Sequence, residues 1–139
     1  MDTILEQLVW RRAKSRCEYC QLPRDFSPLT FEIDHVIARK HQGTTTADNL
    51  ALACFFCNSY KGPNIAGVDP QSGRIVRLFH PRKDRWKRHF AWDGPFLIGH
   101  SRIGRATIAV LEINHPEFVA WREVLIREGA FPPDRGSAK

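Results

Sequence analysis

The sequence has no hydrophobic run long enough to cross a membrane, and it contains no internal repeat and no low-complexity tract. Its first residues, MDTILEQLVWRR, carry Asp2 and Glu6 among the apolar positions. A secretory signal peptide instead has a basic start, an apolar centre and small residues at its end. These absences predict a cytoplasmic protein without a membrane segment.

The composition is that of an ordinary soluble domain. The chain has 139 residues, of which 42% are hydrophobic and 26% are charged. A chain of this length builds a sizeable core and corresponds to one domain. We therefore predict a single domain over residues 1–139.

The positive charge is concentrated in one segment of the chain. The formal net charge is +6, and the stretch from Arg74 to His89 holds seven basic residues and one acid, which also sums to +6. The basic residues are Arg74, Arg77, Arg82, Lys83, Arg85, Lys87 and Arg88, and the acid is Asp84. A local excess of this kind suits a polyanion such as nucleic acid, and a solvated basic surface is the alternative.

Hydrophobic spacing and turn signals predict an α+β fold. The predicted parts are a motif core over 17–62, a basic hairpin region over 64–100, two C-terminal helices over 101–129 and a tail over 130–139. Within the core, strands over 30–38 and 49–53 precede a helix over 55–61 that ends at Gly62. Ser101 and Asn114 are predicted to cap the two C-terminal helices.

All four cysteines belong to two Cys-x-x-Cys pairs, formed by Cys17 with Cys20 and by Cys54 with Cys57. Each pair places two thiolates on one tight turn, and two pairs complete a tetrahedral four-thiolate zinc site. Disulfides are the alternative, but a cytoplasmic chain keeps its thiols reduced. A redox Cys-x-x-Cys needs only one pair. The pattern predicts a structural zinc ion.

Asp34 and His35 lie in a β-favouring run between the two cysteine pairs. Side chains alternate along a strand, so the two residues are expected on opposite faces and in two different roles. A carboxylate is a hard oxygen ligand for a divalent cation, and a neutral imidazole takes a proton from water. Asn58, which directly follows Cys57, offers a second oxygen ligand. Two such ligands suit Mg²⁺ and also Mn²⁺.

Each of these residues also has a simpler interpretation. An Asp-His pair is often a surface hydrogen bond, and Asn49 after Asp48 is often a turn or cap residue. Asn58 in a short helix can simply face solvent. The joint placement of all four residues between or beside two Cys-x-x-Cys pairs favours the functional interpretation.

The order of motifs from Cys17 to Gly62 resembles the HNH endonucleases, the ββα-metal nucleases. The matching elements are C-x-x-C, I-D-H-V-I, a polar Gly-containing loop, D-N-L and C-x-x-C-N-x-x-K-G. The resemblance implies a ββα-metal core with zinc knuckles, to which this chain adds β-hairpins and two C-terminal helices. It implies that Asp34 and Asn58 are the catalytic metal ligands, that His35 is the general base and that Asn49 braces the loop between the strands.

The resemblance further implies hydrolysis of DNA phosphodiester bonds, leaving 5′-phosphate and 3′-hydroxyl ends. Double-stranded DNA is the expected partner, and five basic residues are expected to hold its backbone: Arg82, Lys83, Arg85, Lys87 and Arg88. One alternative is a zinc-stabilised nucleic-acid-binding module without catalysis. Another is a zinc-held protein-interaction domain.

Overall fold

The computed structural model of the protein describes residues 1–132, and its elements confirm the predicted α+β class. Along this part of the chain the helices and strands are α1 (Thr3–Ala13), β1 (Glu32–His35), β2 (Leu50–Ala53), α2 (Phe55–Lys61), β3 (Ala66–Val68), β4 (Ile75–Arg77), α3 (Trp86–His89), β5 (Phe90–Asp93), β6 (Phe96–Gly99), α4 (Arg102–Val110) and α5 (Pro116–Arg127). Within the described residues, no helix has the length and apolar character needed to span a membrane.

The six strands form three separate antiparallel hairpins: β1 with β2, β3 with β4, and β5 with β6. In the first hairpin, Asp34 lies opposite Ala51 and His35 lies opposite Leu50. The helix α2 follows β2 after a single residue, Cys54, which also caps it. The hairpin and α2 together form the expected ββα unit, and the helix ends at Gly62 with a positive φ of 50°.

The central strand of the core is β2. All four of its residues, Leu50 to Ala53, have no exposed surface. The helix α1 packs on this strand, with Val9 fully buried and the Arg12 guanidinium donating to the carbonyl of Leu50. Burial of one leucine side chain contributes about 1.5–3 kcal/mol, so β2 anchors the ββα unit in the protein interior.

The strand β1 is shorter than the 30–38 predicted. Val36 N still donates to Asn49 O at 2.9 Å, but at Ile37 a side chain replaces the strand partner. The Asn49 amide accepts a hydrogen bond from Ile37 N at 2.9 Å and donates to Ile37 O at 3.0 Å. Both backbone groups of Ile37 therefore have hydrogen-bond partners without a neighbouring strand. The chain leaves the sheet at this point and enters the loop.

The cap of α5 differs from the prediction by one residue. His115 caps the helix, and its Nδ1 accepts a hydrogen bond from Glu117 N at 3.2 Å. The Asn114 amide instead bonds both backbone groups of Leu97 in β6, at 2.9 and 2.8 Å. Asn114, which local propensity favours as the cap, therefore makes a tertiary contact instead.

The predicted tail over 130–139 begins later than expected. Phe131 is only 2% exposed, and its ring packs edge-on against Trp92 with 4.9 Å between ring centroids. An aromatic side chain buried to this degree belongs to the core. Residues 133–139 of the predicted tail lie outside the described residues.

Candidate metal centre and catalytic site

The four cysteines converge on one point in the structure. Cys17 and Cys20 lie in the turn after α1, while Cys54 caps α2 and Cys57 lies in its first turn. Their sulfur atoms all lie within 4.8 Å of one another, and Cys20 Sγ is 3.8 Å from Cys54 Sγ. A tetrahedral zinc site with Zn–S bonds of about 2.3 Å has sulfurs about 3.8 Å apart. The cluster therefore fits zinc, and the four thiols are free rather than paired in disulfides.

Backbone amides support the sulfur atoms. Tyr19 N and Cys20 N both approach Cys17 Sγ at 3.4 Å, and Cys57 N approaches Cys54 Sγ at the same distance. Neighbouring cysteines, chiefly Cys17 and Cys20, and burial raise the pKa of Cys54 and Cys57 well above normal, whereas hydrogen bonds within the cluster lower the pKa of Cys20. A bound cation would allow all four sulfurs to be thiolates.

A buried guanidinium lies beside the cysteine cluster. Arg122 in α5 is 5% exposed and donates to the carbonyls of Pro95 and Ile113 at 2.7 and 2.9 Å. Burial lowers its pKa, and the charges of Cys20, Cys57 and Cys54 oppose this effect. Four thiolates around Zn²⁺ carry a net charge of −2, from four negative charges and two positive ones, so Arg122 compensates part of it. This role of Arg122 could not be predicted from the sequence, because the pattern of α5 is that of an ordinary amphipathic helix.

Asp34 lies on the inner face of β1, where it is 5% exposed. The Tyr19 hydroxyl donates to its Oδ2 at 2.7 Å, and Lys61 Nζ lies 3.1 Å from Oδ2 and 3.3 Å from Oδ1. Burial raises the pKa of Asp34, and the Lys61 charge opposes the rise. Neither Tyr19 nor Lys61 is among the predicted site residues, although Lys61 belongs to the C-N-x-x-K-G motif.

Lys61 ties the end of α2 to β1. The side chain is only 1% exposed, and besides Asp34 its ammonium donates to the carbonyls of His35 and Val36 at 3.3 and 3.0 Å. An ammonium has three hydrogens, and these partners use all of them. The helix and the Asp-His strand are therefore held at a fixed separation by one buried cation.

His35 is half-buried, and Thr45 holds its ring. His35 Nε2 lies 2.9 Å from Thr45 Oγ1, which also accepts a hydrogen bond from Arg39 at 2.8 Å. Within residues 1–132, Nδ1 of His35 has no hydrogen-bond partner. One ring nitrogen is thus oriented by the protein, and the other is left available.

Asn49 organises the loop that carries Thr45. Its side chain bonds both backbone groups of Ile37, as described above, and also donates to Thr44 O at 2.8 Å. In the same loop a Cβ at Gly43 would lie 1.6 Å from Ile37 O, so only glycine fits there. The Asn49 amide thus joins the two sides of the loop, next to the threonine that contacts His35.

Asn58 follows Cys57 on α2 and lies three residues before Lys61, so the two side chains share one side of the helix. Its amide has no hydrogen-bond partner in the described part of the chain. Asp34 and Asn58 are hard oxygen donors, and their chemistry fits a divalent ion such as Mg²⁺ or Mn²⁺. A carboxylate has about four acceptor sites, so an ion at Asp34 would share it with Lys61 and Tyr19.

The five basic residues expected to contact DNA fall into two groups. Arg82 forms an ion pair with Glu18, and its side chain is only 15% exposed. Glu18 in turn accepts a hydrogen bond from Leu52 N, so this pair covers the edge of β2. The other four residues are exposed along the turn before α3 and on α3 itself: Lys83, Arg85, Lys87 and Arg88. Arg82 therefore has a structural contact that its neighbours lack.

Two antiparallel strands, a following helix and a four-cysteine centre define a zinc-type ββα unit. The HNH endonuclease family model matches residues 17–64, which are 48 of the 139 residues, and this match covers both cysteine pairs, Asp34, His35 and Asn58. Residues 17–64 thus match the HNH endonuclease family, and the resemblance seen in the motifs of this segment is confirmed. No match was found among curated proteins or among solved structures.

Proposed function

We propose that the protein is a metal-dependent endonuclease that hydrolyses phosphodiester bonds of double-stranded DNA in the cytoplasm, by nicking or by double-strand cleavage. One observation carries the proposal: within the segment that matches the HNH family, the His35 ring is oriented through Nε2, while Nδ1 has no partner among the described residues. A general base needs a fixed ring and a free basic nitrogen.

The contacts around His35 support Nδ1 as the basic atom. With Nε2–H donating to Thr45 Oγ1, the lone pair of the neutral ring lies on Nδ1 and can take a proton from a water molecule. Asn49 holds Thr44, the neighbour of Thr45, and Lys61 holds the carbonyl of His35. Asn49 and Lys61 are thus proposed as positioning residues for the base.

Asp34 and Asn58 would hold the catalytic Mg²⁺ or Mn²⁺. When bound, such an ion neutralises charge that develops on the phosphate and on the leaving oxygen. The four cysteines would hold the separate structural zinc. The expected products carry 5′-phosphate and 3′-hydroxyl ends.

The exposed basic residues are the proposed contacts to the DNA backbone. Lys83, Arg85, Lys87 and Arg88 follow one another closely in the chain, and their charges are available to phosphates. Such contacts are independent of base sequence and position the duplex. Arg82 is left out of this surface because Glu18 already pairs with it.

A second candidate function is supported by one observation. The Asp34 carboxylate is buried and already paired with the Lys61 ammonium, which is the state expected of a structural residue. A zinc-stabilised nucleic-acid-binding module without catalysis would have this arrangement. That protein would bind DNA but would not cut it in any divalent metal.

A plasmid assay separates the two functions. Zinc-loaded protein is incubated with supercoiled plasmid without added divalent metal, in Mg²⁺ and in Mn²⁺, and DNA binding is measured in parallel without added divalent metal. The endonuclease converts the plasmid to nicked or linear form only with Mg²⁺ or Mn²⁺. Binding without cleavage in either metal would contradict the endonuclease and support the binding module.

A further inference from the structure

A cavity of about 220 Å³ lies next to the Asp-His strand. Val36 and Ile37, the two residues after His35, form part of its wall, and Lys61 forms another part. The remaining polar lining comes from three residues of the basic region: Arg77, His80 and Lys83. Every side chain in the lining that carries a polar group is therefore basic, and no carboxylate is among them.

His80 is set to donate a hydrogen bond into this cavity. It is only 6% exposed, and its Nδ1 accepts a hydrogen bond from Arg82 N at 3.2 Å. Burial and the Lys83 charge lower the pKa of His80, which favours the neutral ring. Because Nδ1 is an acceptor, the hydrogen of that ring is on Nε2. Nε2 has no hydrogen-bond partner within residues 1–132, and it is not one of the fully buried unpartnered atoms of that part of the chain, so it remains accessible to a ligand.

Two of the three cations in the lining are already paired, which leaves Lys83 as the charge open to an anion. Arg77 is bound in a two-point pair to Asp84, at 2.7 and 2.8 Å, and Lys61 is paired with Asp34. Lys83 is exposed and has no ion-pair partner in the described part of the chain. The exposed carboxylate of Asp48 interacts with Lys83 and His80 through its charge, and a hydrogen bond from Thr46 holds it.

The volume of the cavity limits what it can hold. Pockets for drug-sized ligands usually measure roughly 300–1,000 Å³, so this one suits a single small group rather than a nucleoside. A tetrahedral oxyanion accepts hydrogen bonds in several directions and matches converging donors from an imidazole, an ammonium and a guanidinium.

We propose that this cavity is a phosphate subsite that binds one backbone phosphate of the nucleic acid, distinct from the phosphate that is cleaved. His80 Nε2–H, Lys83 and the free edge of Arg77 are its donors. The proposal rests on the proposed function for its DNA substrate. Because the cavity shares Val36, Ile37 and Lys61 with the catalytic strand and helix, a phosphate held there fixes the duplex relative to His35.

The chain offers an internal control for a direct test. His115 Nδ1 accepts from Glu117 N at 3.2 Å, the same contact that His80 makes with Arg82 N, but His115 caps α5 and does not line the cavity. Histidine ring signals are followed by NMR while a short DNA duplex is added to zinc-loaded wild-type protein without Mg²⁺ or Mn²⁺. DNA binding is measured independently by fluorescence anisotropy.

If the subsite binds DNA, the His80 ring signals should shift as duplex is added, and this titration should give the same dissociation constant as anisotropy. The His115 signals should stay in place. Binding without any movement of the His80 signals would overturn the subsite but leave the proposed function intact. Absence of duplex binding would overturn the proposed function and the subsite together.

A variant provides a second measurement. His80→Asn keeps an oxygen that can accept from Arg82 N and removes the Nε2 donor, so it should weaken duplex binding roughly tenfold, the equivalent of one hydrogen bond to a charged group. His115→Asn, the matched control, should bind as the wild type does. Equal affinity of the folded His80→Asn variant and the wild type would contradict the subsite.

Discussion

Lys61 Nζ lies 3.1 Å from Asp34 Oδ2, and both side chains are almost completely buried, at 1% and 5% exposure. The ammonium also bonds the carbonyls of the two residues that follow Asp34. This one cation therefore neutralises the proposed metal ligand and fixes the backbone of the proposed base. A divalent ion at Asp34 has to share the carboxylate with a positive charge, which weakens its binding.

Replacing Lys61 tests whether a divalent ion binds at Asp34. Lys61→Met keeps the aliphatic stem and leaves Asp34 as a buried carboxylate without its partner, which should cost about 3–5 kcal/mol of folding free energy. Mn²⁺ should restore part of that loss, because the freed carboxylate binds it more tightly. Thermal unfolding of the variant and of the wild type is measured with and without Mn²⁺.

The variant should gain more thermal stability from Mn²⁺ than the wild type gains. Asp34→Asn combined with Lys61→Met is the control, since it removes the carboxylate and should abolish the extra gain. An equal Mn²⁺ effect on all three proteins would show that no ion binds at Asp34.

The local part of this site is predictable from the sequence, and the contacts of Lys61 are not. The bounds of α2 are predictable because the residues that set them are local: Cys54 caps its start and Gly62 ends it. The Lys61–Asp34 pair joins residues 27 positions apart, and the Arg82–Glu18 pair joins residues 64 apart. Such pairs depend on how the hairpin, the helix and the basic region pack together.

The same limit explains the cap of α5 and the role of Arg122. Asn114 and His115 both suit the start of a helix, and the choice depends on Leu97, which lies on a separate hairpin. Arg122 resembles any basic residue of an amphipathic helix until the helix is packed against the cysteine cluster. Sequence patterns find the zinc ligands because their spacing is fixed by the metal, whereas the surrounding charges are fixed only by the fold.

The cysteine centre predicts about one tightly bound zinc per chain. Cys54→Ser removes a sulfur ligand but keeps a side chain that can cap α2, so the variant should lose zinc and with it much of its stability, since metal binding is coupled to folding in such sites. Metal analysis and circular dichroism of both proteins check this. Folded wild-type protein without zinc, or with its thiols paired as disulfides, would contradict the centre.

The exposed basic surface predicts salt-dependent binding. Arg88→Ala should weaken binding of all DNA sequences alike and flatten the slope of log affinity against log salt by about 0.9 for the lost phosphate contact. Arg127→Ala, which removes an equally exposed charge near the end of α5, is the control and should leave the slope unchanged. Identical slopes for Arg88→Ala and the wild type would place Arg88 away from DNA.

Asp69 predicts a loss of stability in acid. This carboxylate, in the turn between β3 and β4, has no exposed surface and is bound by Arg105 at 2.8 and 3.0 Å. Those bonds hold its pKa far below the usual value of about 3.9. Its ionised form therefore stabilises the fold fully above about pH 3.9, and this contribution is lost as the pH falls toward the lowered pKa.

Urea unfolding of wild type and Asp69→Asn at neutral and acid pH tests the sign. The difference in stability between the two proteins should be large at neutral pH and should shrink on acidification. Asp93→Asn, at the exposed end of β5, should show no such difference. A stability difference between wild type and Asp69→Asn that increases in acid would show that the ionised Asp69 carboxylate does not stabilise the fold.

Plasmid cleavage by His35→Ala, beside the wild type, tests the central proposal most directly. The variant should keep its zinc, its circular dichroism spectrum and its DNA affinity, and it should cleave roughly 10²–10⁴-fold more slowly, the usual contribution of a positioned general base. Its residual rate should rise with pH, because hydroxide replaces the missing base. A folded, zinc-loaded His35→Ala protein that cuts plasmid at the wild-type rate would show that His35 is not the base.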